Sequence, residues 1–373
     1  MKKIHTPVTR LSFIPLILPL VPGKICFHRM RMITEVLPTD TNETMKNAVQ
    51  RAVSLLQAGE PVALPTETVY GLAADALNPE AVAKIFAAKE RPSFDPLIVH
   101  LPHKDRLQDV ADIPDDLVST IGQIVERFWP GPLTIILPKK PCVPDIVTAG
   151  LPNVAVRISD NPIFKRVITS FGGPLAAPSA NRFGRISPTS AGAVKEELDG
   201  RIPLILDGGA CMHGLESTII RIERGETKPI FRVLRAGPVI KEDLQAIGKV
   251  IYEHTNTNPT PDAPGQLPSH YAPATPVRLL SGPDDFRPDP SKKYALLSYR
   301  GEDEDGYMDL ADWVQTAVLS PGSGKLTEAA VRLFFCLRKL DEAGADEIIA
   351  EPVTDKGLGM AIMDRLRRAA GKR

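Results

Sequence analysis

The chain has 373 residues, 43% hydrophobic and 24% charged, which is ordinary globular composition and excludes a largely disordered chain. Lysine plus arginine number 45 and so do aspartate plus glutamate. Zero net charge excludes wholesale coating of nucleic acid and leaves only a local basic cleft, and aromatics at 5% supply no stacking platform for single strands.

The chain opens on the basic segment KKIHTPVTR and the apolar LSFIPLILPLVPG. The outline is that of a signal peptide. The apolar run is too short to span a bilayer, prolines break it, and no small-x-small cleavage site follows. We therefore read residues 1–31 as a non-native or disordered extension, with Met30 or Met32 as the start of the protein proper. The cysteines Cys26, Cys142, Cys211 and Cys336 form no CxxC pair. They read as reduced thiols of a cytoplasmic protein, not as metal ligands, and no metal-binding residues are assigned.

Residues 47–59 predict an amphipathic helix with Val49, Val53 and Leu56 on one face and a glycine stop. PVALP is a buried strand. It is followed at once by the polar PTETVYG (residues 65–71), where a surface loop is the default. Residues 78–91 predict a helix with Asn78 as cap and Pro79 at its first position. DPLIVH is a strand, DDLVSTIGQIVERFWPG a helix, and PLTIILP, NVAVRI, PLAAPSA, IPLILDGG and ESTIIRI are short strands. FKRVITSFGG and SPTSAGAVKEELDG are helices, the second with Ser187 as cap and Pro188 at its first position. The irregular alternation predicts an α/β fold with a twisted mixed sheet and a concave site over residues 32–250. No GxGxxG follows the first strand, so a dinucleotide fold is not supported. Residues 251–276 are a proline-rich connector. Residues 277–373 predict a small three-layer α/β domain, with a strand in SKKYALLSYR, a helix over TEAAVRLFFCLRKLDEAG, a strand in DEIIAEPV and a closing helix. PGSGKLT lacks phosphate-loop spacing and reads as a turn and helix start.

Five stretches place polar residues at strand ends, where open α/β sheets bind ligands. They are PTETVYG (Thr66, Thr68), AKERPSFDPLIVH (Lys89, Arg91, His100), APSANRFG (Ser179, Asn181), GLESTII (Glu216, Ser217, Thr218) and RVLRAG (Arg235). Each has a plainer role in isolation. Thr66, Thr68, Ser179 and Asn181 suit turns, Lys89 and Arg91 offset a helix dipole, Ser217 and Arg235 suit a strand end and a surface, and His100 suits a satisfied strand end. Together the hydroxyls, the amide and the three cations point to an anion-binding enzyme without a covalent nucleophile. No Ser-His-Asp triad and no HExxH motif is visible.

PTETVYGLAADA, AKERPSFDPLIVH, WPGPLTIIL, APSANRFGRISPT and GLESTI, in this order, resemble the threonylcarbamoyl-AMP synthase family over residues 40–245. APGQLPSHYAP and EPVTDKGLGMAIMDRLRRAA are similar to the connector and C-terminal domain of its two-domain members. The resemblance implies synthesis of L-threonylcarbamoyladenylate from L-threonine, bicarbonate and ATP, with release of pyrophosphate. Its product serves threonylcarbamoyl modification of the tRNA adenosine next to the anticodon. The resemblance also implies that Thr66, Thr68, Lys89, Arg91, His100 and Ser217 surround threonine. Lys89, Arg91, Ser179, Asn181 and Arg235 would hold the nucleotide, with His270 and Tyr271 on a closing connector. Lys89 and Arg91 carry the catalytic assignment, Mg²⁺ is expected beside the phosphates, and tRNA or the transferase that consumes the product is the partner. No membrane association is expected.

Three departures from the family pattern stand out. Glu90 replaces the glycine of KGRP, Asp95 replaces the asparagine of NPL, and Gln266, Leu267 and Pro268 replace methionine, lysine and tyrosine of the connector motif. Glu90 is expected to point away from the two cations. The rival reading is an RNA-binding module with a basic concave face, for which Arg182 and Arg185 are the local candidates. A carbamoyl-transfer or hydrolysis enzyme of the same fold would bring zinc-finger cysteines, which this chain lacks.

Overall fold

A computed structural model describes residues 33–253, 263–265 and 271–371. Residues 1–31, Cys26, His270 and the divergent Gln266–Pro268 therefore lie outside the described residues.

The larger sheet has eleven strands among the described residues. They are β1 (Glu35–Pro38), β2 (Val62–Leu64), β3 (Gly71–Asp75), β4 (Ile98–His100), β5 (Leu133–Pro138), β6 (Asn153–Arg157), β7 (Leu175–Ala176), β8 (Leu204–Asp207), β9 (Thr218–Glu223), β10 (Ile230–Arg235) and β11 (Lys249–Tyr252). Their spatial order is β1-β8-β2-β3-β7-β4-β6-β5-β9-β10-β11. Pairing is mixed: β1, β8 and β2 are parallel, as are β4 with β6, β5 with β9 and β10 with β11, while β3 and β7 run antiparallel to their neighbours. The mixed α/β sheet expected from the irregular alternation is the one observed.

Helices α1 (Asn42–Gln57), α2 (Pro79–Lys89), α3 (Val118–Phe128), α4 (Asp145–Thr148), α5 (Pro162–Phe171), α6 (Ala191–Leu198) and α7 (Lys241–Gln245) accompany this sheet. Period-two alternation splits the strands between two cores. Val62, Leu64, Leu204 and Leu206 pack with α1 and α5. Ala63, Leu72, Ala74 and Ile205 pack with α2, α3 and α6 on the other face. Helix α1 begins five residues before the periodic stretch, because Thr41 forms a capping box with Thr44. Helix α6 corrects a boundary. Its cap is Ser190, not Ser187. Ser187 is instead fully buried and donates to Glu216.

The C-terminal unit is a four-stranded parallel sheet, β12 (Val277–Leu279), β13 (Tyr294–Ser298), β14 (Trp313–Val318) and β15 (Glu347–Ala350), in the order β12-β15-β13-β14. Helices α8 (Leu326–Asp341) and α9 (Gly359–Ala369) cover one face. The irregular segments carrying Phe286 and Tyr307, together with Trp313 at the start of β14, cover the other, through Tyr294 and Leu296. The core under α8 and α9 is continuous with Val69, Ile186, Leu215 and Tyr271, so this unit packs directly on loops of the larger sheet.

Candidate active site

Thr66, Glu67 and Thr68 leave a core strand and yet stay buried, against the surface loop that their polarity predicts. The reason is local satisfaction of every group. The Thr66 hydroxyl accepts from the backbone N–H groups of Thr68 and Val69 at 3.1 and 3.2 Å and bonds the Val69 carbonyl at 2.6 Å, which turns the chain from β2 into β3. Glu67 accepts from Arg157 and Ser159, each at 2.5 Å, and from the Asp160 N–H. Arg157 also donates to the Thr68 hydroxyl at 3.1 Å.

These groups form one wall of a cavity of about 50 Å³, room for roughly four waters on the same measure. This is the scale of a small amino acid rather than a nucleotide. The other walls come from both ends of β4 (Ile98, His100), from the carboxyl ends of β6 (Arg157), β7 (Ala177, Pro178, Ser179) and β10 (Arg235), from Glu216 and Ser217 ahead of β9, and from Arg91. Pro264, Gly265 and Tyr271 of the connector line it as well. Gly265 has φ +80°, and a Cβ there would lie 2.6 Å from the Tyr271 hydroxyl and 3.2 Å from an Arg235 nitrogen. Only glycine lets the connector approach this closely.

The cations divide into two kinds. Arg91, Arg157 and Arg235 line the cavity; Lys89 does not. The Lys89 ammonium is buried and donates to the carbonyls of Ser179 and Asn181 at 2.5 Å. Burial holds its pKa well below the ordinary lysine value, with Arg91 adding to the shift. Arg91 donates to the carbonyls of Asp95 and Pro96 and pairs with the Asp95 carboxylate at 2.8 Å. Asp95 is fully buried, and burial raises its pKa against the opposing pull of Arg91. Arg235 donates to the carbonyl and hydroxyl of Ser217 and to the Pro264 carbonyl, joining β9, β10 and the connector at one point. Ser217 shares its hydroxyl with Thr134 at 2.8 Å.

His100 packs on Phe164, and neither ring nitrogen has a hydrogen-bond partner among the described residues. Burial first, then Arg157, holds its pKa well below the ordinary histidine value, so the ring is neutral at neutral pH. Asn181 is buried and does not line the cavity; its amide holds the turn by donating to the carbonyls of Arg182 and Arg185. Glu90 does point away from the site. It adopts φ 54° and ψ 36° as the cap of α2 and pairs with Arg201 at 2.8 Å. Sequence reasoning missed Arg157, whose only signal is an arginine ending the apolar strand NVAVRI. It also missed the contact of Glu216 with Arg365, which α9 brings in at 2.9 Å.

Comparison with known proteins gives the family. The Sua5–YciO–YrdC family model, described as telomere recombination, matches residues 54–237, and a model of the threonylcarbamoyl-AMP synthase C-terminal domain matches residues 239–371. The threonylcarbamoyl-AMP synthase of Pyrococcus abyssi is 39% identical over 342 residues, which is 87% of this chain and 94% of its own. The chain belongs to the threonylcarbamoyl-AMP synthase family. The threonylcarbamoyl-AMP synthase of Bacillus subtilis is 40% identical, over 90% of this chain and 96% of its own. The structure of Pyrococcus abyssi Sua5 complexed with L-threonine superposes with a TM-score of 0.78 at 35% identity, covering 91% of this chain and 98% of that one. Among the described residues of this family member, no helix is long and apolar enough to cross a membrane.

Proposed function

We propose that the cavity is where this synthase holds L-threonine and carries it to L-threonylcarbamoyladenylate, with ATP at the rim formed by Ser179 and Arg235. The observation that carries this reading is the convergence of three guanidinium groups, Arg91, Arg157 and Arg235, on an amino-acid-sized space walled by Thr66, Thr68 and Ser217. Threonine supplies a carboxylate for the arginines and a hydroxyl for the small polar wall. The neutral imidazole of His100 can take or give a hydrogen bond without adding charge, which suits a site that must keep the threonine amine as a free nucleophile.

The reaction then needs two steps. The amine adds to carbon dioxide with loss of a proton, or to bicarbonate with loss of water, and gives a carbamate. A carbamate oxygen attacks the α-phosphorus of ATP, and pyrophosphate leaves. Both intermediate and product are labile to water, so Pro264, Gly265 and Tyr271 act by covering the cavity. Lys89 serves the nucleotide through the turn it holds. Its ammonium fixes the carbonyls of Ser179 and Asn181 and so sets the N–H groups and the hydroxyl of that turn toward the phosphates. Mg²⁺ fits the triphosphate rather than the protein. The described residues hold no cluster of three or more metal-ligating side chains, and Glu216 and Glu67 are already engaged by arginines. The product passes to a tRNA-modifying transferase in the cytoplasm.

The RNA-binding reading loses its cations. Arg182 pairs with Glu197, and Arg185 faces Glu197 and Asp341. Incubation with ATP, bicarbonate and labelled threonine tests the proposal. Threonine-dependent release of pyrophosphate together with a labelled adenylate is the expected result; ATP turnover indifferent to threonine would refute it.

A further inference from the structure

We propose that Arg365, on the last helix of the C-terminal unit, is a positioning residue of the synthase, holding three segments of the cavity wall in register. The inference rests on the cavity being the threonine site. Arg365 is fully buried. Its Nε donates to the Glu216 carboxylate at 2.9 Å and its Nη1 to the Ala236 carbonyl at 2.9 Å. Its guanidinium carbon lies 5.2 Å from the ring centroid of Tyr271. Glu216 and Tyr271 line the cavity, and Ala236 directly follows the cavity residue Arg235. One planar group therefore touches the loop ahead of β9, the end of β10 and the connector.

The surroundings fix each of those contacts from a second side. Ser187 donates to the other Glu216 oxygen. Tyr271 stacks on Phe334 of α8 at 5.7 Å and takes the left-handed conformation, φ 61°, which costs about 1 kcal/mol or more for a residue other than glycine. Its position is thus held by the C-terminal unit against a backbone preference. A buried ion pair is a poor way to gain stability, since apolar residues of equal volume do as well or better. What a guanidinium supplies that apolar packing cannot is several donors at fixed angles. The Nη2 of Arg365 is buried without a hydrogen-bond partner among the described residues, a cost that packing alone would not retain.

A second arginine provides the control. Arg338, on α8, also crosses to the larger sheet's loops. It donates to the Ile186 carbonyl and pairs with Glu197 at 3.3 Å, and neither partner lines the cavity. Both arginines tie the two units, and only one touches the site.

The test compares Arg365→Met, Arg365→Lys, the double variant Arg365→Met/Glu216→Gln, Glu216→Gln and Arg338→Met in the full-length enzyme. Tm, threonine KM and kcat are measured for each. Arg365→Met is expected to lower Tm and raise threonine KM about 10-fold. The double variant removes the orphaned charge and recovers Tm, yet keeps KM raised above that of Glu216→Gln alone. Arg365→Lys keeps the charge but not the fork and falls between. Arg338→Met lowers Tm and leaves KM unchanged. A double variant with the KM of Glu216→Gln would overturn the proposal, as would equal KM effects at Arg338 and Arg365. A wild-type enzyme that forms no adenylate would instead sink the reading of the cavity itself.

Discussion

The interior of the C-terminal sheet and the crevice of the larger sheet handle buried polarity in opposite ways. At and beside the crevice, the ring nitrogens of His100, Nε of Arg157 and Oδ1 of Asn181 are buried without hydrogen-bond partners among the described residues. In the C-terminal unit, the buried atoms so placed among the described residues are Nε of Arg338 and Nη2 of Arg365, and both side chains reach the larger sheet's loops. The rest of that sheet is satisfied, as where Glu351 accepts from Ser298 and from the Tyr299 N–H. Buried groups left unmet usually cost about 1–3 kcal/mol each. Among the described residues most such atoms lie at or beside the crevice, which fits the proposed ligand site there, with the second sheet supporting it. If this contrast is right, substitutions in the crevice change substrate kinetics more than Tm, and substitutions inside the second sheet do the reverse.

The largest break in that contrast is available at Lys89. Lys89→Met leaves the Ser179 and Asn181 carbonyls without their donor and removes a charge beneath the proposed phosphate site. We expect kcat/KM to fall by about 10²-fold, roughly 2.7 kcal/mol of transition-state stabilisation. A variant with lowered Tm and undiminished kcat/KM would reduce Lys89 to a structural tie. Next in size is Arg157→Gln. Loss of a charged hydrogen bond to a carboxylate is worth about 1.5–3 kcal/mol, so threonine KM rises by about 10- to 10²-fold. Glu67 also loses its partner, so calorimetric titration of threonine into the folded variant separates binding from stability. An unchanged threonine affinity would remove Arg157 from the site.

The sheet elements were legible because their signals are local. Asn78 before Pro79 caps α2 as its sequence demands, and the apolar runs LTIIL and LIL sit where they must. Strands β1, β3, β11, β12 and β14 were not anticipated, and β10 only as the strand end at Arg235. GLAAD carries small residues that read as a turn, and only pairing with β2 and β7 makes it a strand. Ser187 was misplaced as a cap because Ser187-Pro188 carries the stronger local signal, whereas Ser190 caps the helix and Ser187 is drawn into a long-range bond to Glu216. The site was legible through its hydroxyls and cations. The exclusion of Lys89 from the cavity lining was not, since it depends on where a turn ninety-odd residues away presents its carbonyls. Arg365 sits in a basic helix sequence, DRLRRAA, that reads as a solvated face.

Asp95 offers a sharper test, because it places a second carboxylate on the arginine assigned to threonine. Its folded pKa is raised by burial. Its protonated form is therefore favoured by folding. The stability this titration contributes is present below the ordinary carboxylate pKa and is lost as pH rises through the raised folded value. Asp95→Asn keeps an acceptor for Arg91 and removes that titration. The stability of the variant relative to wild type should therefore grow as pH rises from the ordinary carboxylate pKa through the raised folded one. Threonine KM should fall, since Arg91 no longer faces a competing anion. A stability difference flat across that range would show that Asp95 stays ionised throughout.

The smallest expected effect lies just outside the site. Glu90 caps α2 in the left-handed region, at φ 54°, where a Cβ costs about 1–2 kcal/mol. Its exposed pair with Arg201 returns about 0–1 kcal/mol. The family pattern has glycine at this point, which relieves the strain but adds unfolded-chain freedom of about 0.5–1 kcal/mol. Comparing Glu90→Gly with wild type mixes all three effects. Comparing it with Glu90→Ala does not, because alanine also lacks the ion pair and keeps the Cβ. Glu90→Gly should therefore be the more stable of the two by about 0.5–1 kcal/mol in chemical denaturation. Both should match wild type in threonine KM, since the side chain faces away from Lys89 and Arg91. An alanine variant more stable than the glycine one by about 0.5–1 kcal/mol would mean that the backbone at residue 90 is not strained. A shifted KM in either would mean that the cap sets the position of Arg91, and the boundary drawn between the crevice and its support would have to move outward to include the end of α2.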